Sequence, residues 1–220
     1  MGSIPVSPPA GATDVTTHSF PPPDWPRAKL CVGLTGGMGC GKSTAAQMFV
    51  ELGFRVLDSD RVVRDEILRD PAVLAEIRTQ FGAGVFGASG DLDRRAVADR
   101  VFAAESDRRW LEALVHPRVR EAWRRALVAE PTARWLIEVP LLFESGLENW
   151  FDFTVCVATS SALQLSRLRS RGVPADLAEQ RIARQLPLPR KIAAADFVLL
   201  NDGSLEFLRE QVAWLDGRWQ

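Results

Sequence analysis

Apolar positions along the 220-residue chain fall into two alternating patterns. Short, nearly continuous apolar runs read as strands buried on both faces, and longer stretches with apolar positions three and four apart read as helices. The first run, "AKLCVGL", predicts a buried strand. After a glycine-rich loop, Ala45, Met48, Phe49 and Leu52 share one helical face and predict a helix over 42–52, closed at Gly53, where a left-handed cap fits. "FRVLDSD" predicts a second strand with two acids at its end. From 61 to about 134 the pattern turns helical: "RVVRDEILRD", "PAVLAEIRTQF", "DRRAVADRVF", "SDRRWLEALV" and "HPRVREAWRRALVAE" are helices. Pro71 sits at a helix start, and the glycine-rich "FGAGVFGASGDLD" interrupts the series. "ARWLIEVPLLFE" and "FDFTVCVA" return to strand. "SSALQLSRLRSRG", capped by Ser160 or Ser161, and "PADLAEQRIARQL" are helices. "DFVLL" is the last strand, and "SLEFLREQVAWL" closes the chain with Leu205, Leu208, Val212 and Leu215 on one face.

Strands alternating with helices predict an α/β fold, a parallel sheet covered on both faces in three layers. The helical run over 61–133 reads as an insertion beside that sheet. Residues 1–26, rich in Pro, Ser, Thr and Gly, read as a disordered tail, leaving 27–220 as one domain. The tail lacks the basic-then-apolar order of a secretory leader, and its first arginine is Arg27, which argues against a transit peptide.

Charge narrows the partners. Lys+Arg is 27 and Asp+Glu 28, a net −1, so no general field draws nucleic acid or a membrane surface. No apolar segment approaches the roughly 20 residues a bilayer span needs. Neither nucleic acid nor membrane is expected as a partner. Cys31, Cys40 and Cys156 show no paired spacing, which points to a reducing cytoplasm. Oligomeric state is not fixed by the amphipathic helices; a monomer or weak homo-oligomer is the expectation.

The loop carries the clearest chemistry. "GGMGCGKS", from Gly36 to Ser43, fits G-x-x-x-x-G-K-[ST]. Gly37, Gly39 and Gly41 let backbone N–H groups point inward with no Cβ in the way. The helix starting near Lys42 adds its positive N-terminal dipole. Lys42 supplies a point charge to the β- and γ-phosphates, and Ser43 is placed to ligate Mg²⁺. The chain has only three lysines, Lys29, Lys42 and Lys191, with arginine elsewhere, yet the loop keeps its lysine. Cys40 reads as a redox-sensitive thiol or as a small filler.

A phosphate loop does not choose among GTPases, motors and kinases. The guanine motif N-K-x-D, the switch motif D-x-x-G and the transporter signature LSGGQ do not occur, which leaves small-molecule kinases. Such a kinase needs a group for the acceptor hydroxyl, cations over the moving phosphoryl and a lid against water. Asp58 and Asp60 close the second strand, and residues two apart on a strand point the same way. One would meet the acceptor and the other metal or substrate; alternatively Asp60, or less readily Asp58, only caps the next helix. Arg167 and Arg171 share a helical face that closes on nucleotide or is simply solvated, with Arg181 and Arg184 in the next helix. Glu138 ends the third strand as a Mg²⁺-side acid or as a surface charge. His116, before Pro117 and a helix, is functional or structural.

"GLTGGMGCGKST", "LDSD", "FG…GDLDR", "HP", "VPLLFE", "Q..R…R" (Gln164, Arg167 and Arg171), "RIARQ" and "ADFVLLND" occur in the order seen in dephospho-CoA kinases, and the chain resembles that family from about residue 30 to 212. The resemblance implies a P-loop NTPase core, with 61–133 as a helical acceptor-binding insertion and 160–190 as a lid. It implies ATP-dependent phosphorylation of the 3′-hydroxyl of dephospho-coenzyme A, with Mg²⁺. By position, Asp58 is the catalytic base, and Lys42 and Arg167 stabilise the moving phosphoryl. Thr35, Gly39, Cys40, Gly41, Ser43, Thr44 and Asn201 fall on the nucleotide side, with Arg171 on the lid face. Phe81, Arg94, His116, Pro140 and Leu141 fall on the acceptor side beside Asp60. Met38 and Cys40 replace the more usual Ile and Ser, both at positions expected to act through backbone N–H groups. Glu138 stands where Asp is commoner, and Ser59 where Ala is. Another P-loop nucleoside or nucleotide kinase, or a nucleotide-binding module without catalysis, are the alternative readings.

Overall fold

A computed structural model describes residues 21–22 and 24–220. Five strands form one parallel sheet in the order β2-β3-β1-β4-β5: β1 Leu30–Gly36, β2 Arg55–Asp58, β3 Arg134–Glu138, β4 Phe153–Ala158 and β5 Phe197–Leu200. Central β1 pairs with β3 and β4 and is buried along its whole length, which explains its unbroken apolar run. Alternate side chains divide between the two faces. Leu30, Val32, Leu34 and Leu136 meet α1 (Lys42–Glu51) and α9 (Leu205–Arg218) through Phe49, Leu208 and Val212. Cys31, Trp135 and Ile137 meet the helices that lie between β2 and β3. The result is a three-layer α/β/α fold.

Those helices are α2 (Ser59–Asp65), α3 (Pro71–Phe81), α4 (Arg94–Ala103) and α5 (Glu105–Ala129), with one antiparallel bridge between Phe86 and Leu92. Side-chain caps start three of them: Asp58 accepts from the Arg61 N–H before α2, Asp70 from the Ala72 N–H before α3 with Pro71 in the first turn, and Asp93 from Arg95 and Ala96 before α4. Beyond β4 come α6 (Ser161–Ser170), α7 (Ala175–Ala183) and α8 (Leu188–Ala194); α6 packs on α7, and α8 packs on β4 and β1.

Two local expectations change. The helices expected on either side of His116 and Pro117 are one 25-residue helix, α5. Proline removes the donor to the Ala113 carbonyl, and the neighbouring Leu114 carbonyl accepts from the Arg118 guanidinium at 2.7 Å. The stripe Val115, Val119, Ala122, Trp123 and Leu127 also runs buried straight through, so packing holds the helix together across the proline. His116 therefore lies inside a helix rather than before one. The second change concerns "LDSD". The strand ends at Asp58 and α2 begins at Ser59, so Asp58 and Asp60 are not two residues of one strand. Asp58, not Asp60, is the cap: its Oδ1 accepts from the Arg61 N–H at 3.1 Å.

Of the expected disordered tail, residues 1–20 and 23 lie outside the described residues. Trp25 meets Trp150 edge-on at 4.7 Å between ring centroids, so packing onto the domain reaches upstream of Arg27. Among the described residues, no helix is long and apolar enough to cross a membrane.

Candidate functional site

The glycine loop leaves β1, the strand whose two neighbours, β3 and β4, lie on opposite sides of it, and opens α1. That is the crevice where open α/β sheets hold ligands. Its shape is fixed from behind. Asn201, after β5, donates Nδ2 to the Cys40 carbonyl at 2.7 Å, and Arg167 of α6 donates to the same carbonyl at 3.4 Å and to the Asn201 carbonyl at 2.9 Å. Gly41 has φ 94°, and a Cβ there would lie 2.2 Å from Asn201 Nδ2, so both conformation and space require glycine.

Cys40 does more than present its backbone. Its side chain is fully buried, and Gln164 Nε2 donates to Sγ at 3.3 Å and to the Met38 carbonyl at 3.0 Å. Burial pushes the thiol above its ordinary pKa, with only partial opposition from Lys42. It sits as a buried thiol, the filler of the two sequence readings. Lys42 Nζ folds over the loop and donates to the carbonyls of Gly36 and Gly37 at 3.2 and 3.3 Å. Burial lowers its pKa, and Glu138 and Asp60 are among the charges that hold it up.

Acids gather beside it. Asp58 at the end of β2 is register partner to Glu138 at the end of β3, and Glu138 in turn faces Leu34 of β1. Glu138 is buried and raised to about 7, first by desolvation and then by Asp58, while Lys42 and a hydrogen bond from Ser43 oppose the rise. Asp60 is also raised, by burial and then by Asp58. The hydroxyl of Ser43 and the carboxylates of Glu138 and Asp58 are hard oxygen donors of the kind Mg²⁺ takes. Among the described residues no three His, Cys, Asp or Glu side chains form a closed metal cage.

A cavity of about 170 Å³ opens next to the acids, lined by Asp60, His116, Val119, Pro140 and Leu141 among others. Four of the expected acceptor-side residues thus meet there. Desolvation lowers the His116 pKa, which favours the neutral imidazole. Phe81 and Arg94 are elsewhere. Phe81 is buried against Trp110, with ring centroids 5.0 Å apart, and carries the guanidinium of Arg100 over its ring. Arg94 is exposed at the start of α4, with its guanidinium 3.4 Å from the Arg64 carbonyl. Thr35 is fully buried and donates Oγ1 to the Pro140 carbonyl at 3.2 Å, linking the two halves of the site. Thr44 lies in the first turn of α1, its N–H bonded to Gly41.

A larger cleft of about 810 Å³ separates α4 and α5 from α7, with Met38, Leu141, Glu144, Arg181, Arg184 and Gln185 on its walls. Arg184 crosses it to stack 4.2 Å above the ring of Phe102. Arg167 lies behind the loop, whereas Arg171 is exposed at the end of α6, so the two do not act from one face here. Four side chains were given no role by the sequence: Gln164, Gln185 and Glu144, which lie inside segments that carry the family resemblance, and Lys191. Gln185 Oε1 accepts from the Met38 N–H at 3.3 Å. Glu144 and Lys191 form an ion pair at 2.8 Å. Their contacts span distant segments and leave no local pattern; the one available signal was a lysine at 191 in a chain so rich in arginine.

The profile of the family described as dephospho-CoA kinase matches residues 30–206. The dephospho-CoA kinase of Geobacillus kaustophilus is 38% identical over 194 residues, covering 86% of this chain and 96% of its own. That of Xanthomonas oryzae pv. oryzae is 40% identical over 193 residues, covering 86% and 95%. A crystal structure of a Thermus thermophilus protein, 32% identical, superposes with TM-score 0.76 over 88% of this chain and all of its own. The dephospho-CoA kinase of Campylobacter jejuni shares the fold, with TM-score 0.62 at 24% identity over 86% of this chain and 96% of that one.

Proposed function

From the premise that the chain belongs to the dephospho-CoA kinase family, whose reaction moves the γ-phosphoryl of ATP to the 3′-hydroxyl of dephospho-CoA, we propose how its residues carry that transfer. The observation that bears most weight is the pairing of Asp58 with Glu138 at one sheet edge, next to Lys42 and the mouth of the His116–Pro140 cavity. ATP lies with its phosphates in the glycine loop, against the amides of Gly39 to Thr44 and the N-terminus of α1. The ribose end of dephospho-CoA enters the cavity and cleft beside Leu141, between the helices of 61–133 and the lid of 160–190.

Asp58 holds one carboxylate oxygen on the Arg61 N–H, which fixes the side chain and leaves the other for the acceptor hydroxyl. The 3′-oxygen bonds to the γ-phosphorus as the bond to the β–γ bridging oxygen breaks, the hydroxyl proton passes to Asp58, and ADP leaves. Lys42 leaves the Gly36 and Gly37 carbonyls for the phosphate oxygens, where its charge follows the moving phosphoryl. Arg167 supports the loop through the Cys40 and Asn201 carbonyls, and Arg171, on a different face, supplies lid charge by itself. Ser43 and Glu138 are the side chains that would hold Mg²⁺. Bound there, it supplies neutralisation of the β- and γ-phosphate charge. His116, Asp60, Pro140 and Leu141 seat the acceptor. Three free, buried thiols suit a reducing cytoplasm.

The test is incubation with ATP and dephospho-CoA, with and without Mg²⁺, following product by mass and phosphate position by NMR. The reading expects 3′-phosphorylated product that needs Mg²⁺. Product with excess EDTA would overturn the metal assignment, and turnover of a plain nucleoside in preference to dephospho-CoA would overturn the acceptor assignment.

A further inference from the structure

Lys191 of α8 is fully buried, a costly place for an ammonium unless its charge is paired and its donors used. Both conditions hold. Nζ donates to the Pro140 carbonyl at 2.8 Å and pairs with Glu144 Oε1 at 2.8 Å. The same Oε1 accepts from the Leu186 N–H at 2.8 Å, where the chain returns from α7. The Pro140 carbonyl also accepts from Thr35 at the end of β1. Two oxygen atoms therefore join the end of β1, the turn after β3, and the segment that carries α6 and α7 back to the sheet. Gln185, the neighbour of Leu186, extends the chain of contacts to the Met38 N–H of the glycine loop.

We propose that Glu144 and Lys191 are positioning residues that couple seating of the acceptor at the Pro140–Leu141 turn to placement of the lid over the glycine loop. Lys191 holds the turn. Glu144 carries the link onward to the lid at Leu186. Lys191 is fully buried and the Glu144 side chain only 19% exposed, so salt screens the pair less than a surface pair. Glu144 and Leu141 line the same cleft, so a displaced turn moves the wall that the acceptor meets. When the link is cut, the lid no longer registers on the loop and water attacks the γ-phosphorus, giving ADP and phosphate without product. The proposal rests on the assignment of the acceptor to that turn.

The test uses the full-length chain and measures KM for each substrate, the ratio of ADP to CoA formed, and thermal stability. Glu144→Leu removes the acceptor for Leu186 and the counter-charge for Lys191. It is expected to raise KM for dephospho-CoA about tenfold or more and to raise the ADP-to-CoA ratio, with KM for ATP changed less than about threefold. Glu144→Gln keeps an acceptor oxygen and is expected to hold the ratio near that of the parent. Lys191→Met frees the turn but leaves the Leu186 hydrogen bond, so it is expected to raise KM for dephospho-CoA with the ratio unchanged. Parental KM and ratio in Glu144→Leu would overturn the coupling. So would a common loss of affinity for both substrates that Glu144→Gln does not restore, since that marks mere structural support. If Glu144→Leu does not fold, Lys191→Met and Glu144→Gln decide: an unchanged KM for dephospho-CoA in the first, or a raised ratio in the second, overturns the proposal. Leu141→Asp separates this from failure of the acceptor assignment. Unchanged KM for dephospho-CoA there means the acceptor sits elsewhere, whereas a raised KM with a normal Glu144→Leu means only the coupling is wrong.

Discussion

Asn201 and Cys40, brought together from opposite ends of the domain, share a 2.7 Å hydrogen bond from side-chain amide to main-chain carbonyl. That bond sets the curvature of the glycine loop, and it leaves no room for a side chain at Gly41. Gly41→Ala places a Cβ against Asn201 at a positive φ. Strain of about 1–3 kcal/mol follows, to be relieved by opening the loop. ATP affinity is expected to drop about 10- to 100-fold, measured by calorimetric titration with a non-hydrolysable analogue, with the circular dichroism spectrum unchanged.

Among the described residues Lys42 donates hydrogen bonds to two loop carbonyls and no packing contact of the core depends on its ammonium, while burial already disfavours its charge, so its removal is expected to cost the fold little. Lys42→Ala is expected to lower turnover by about 10²–10³-fold or more, the range found when one charge-stabilising donor is lost. Thermal denaturation of the same variant should match the parent within a few degrees. A parallel loss of stability would mean the side chain serves packing rather than transfer.

Glu138 gives a pH signature. Its folded pKa of about 7 lies above the ordinary 4.5, so the folded state retains a proton that the unfolded chain releases. The unfolded state then binds fewer protons across that interval, and stability falls as pH rises from 4.5 toward 7. Without metal, the melting temperature of the parent should decline through this window, and Glu138→Gln should flatten the decline. Equal slopes in the two proteins would place the titration elsewhere.

The Cys40 thiol, buried beneath Gln164 with its pKa raised, should resist alkylation in the native protein. Mass spectrometry after iodoacetamide at pH 8 is expected to find Cys40 unmodified until the chain is unfolded. Rapid labelling of the native protein would restore the redox-sensitive reading.

What could be read from sequence was whatever has a local signature. β1 is apolar along its length because a parallel central strand is covered on both faces, and the glycine loop is recognisable because its backbone geometry restricts residue type. The merger of two helices into α5 was hidden because Pro117 is a local break signal, while what overrides it, packing of the buried stripe Val115, Val119, Ala122, Trp123 and Leu127, is tertiary. The division of "LDSD" turned on a cap: Asp58 has the side chain of a strand-end acid and of an N-cap alike, and only the Arg61 contact decides. Lys191 stood out only as one of three lysines and Glu144 only as the end of "VPLLFE"; their pairing was hidden, since an ion pair between distant segments has no period.

The most direct measurement compares the parent and Asp58→Asn in Mg-ATP and dephospho-CoA at saturation, timing the appearance of CoA by mass. With Asp58 as the group that takes the hydroxyl proton, turnover is expected to fall by about 10²-fold or more while ATP affinity holds. Near-parental turnover in a folded Asp58→Asn protein would contradict that role.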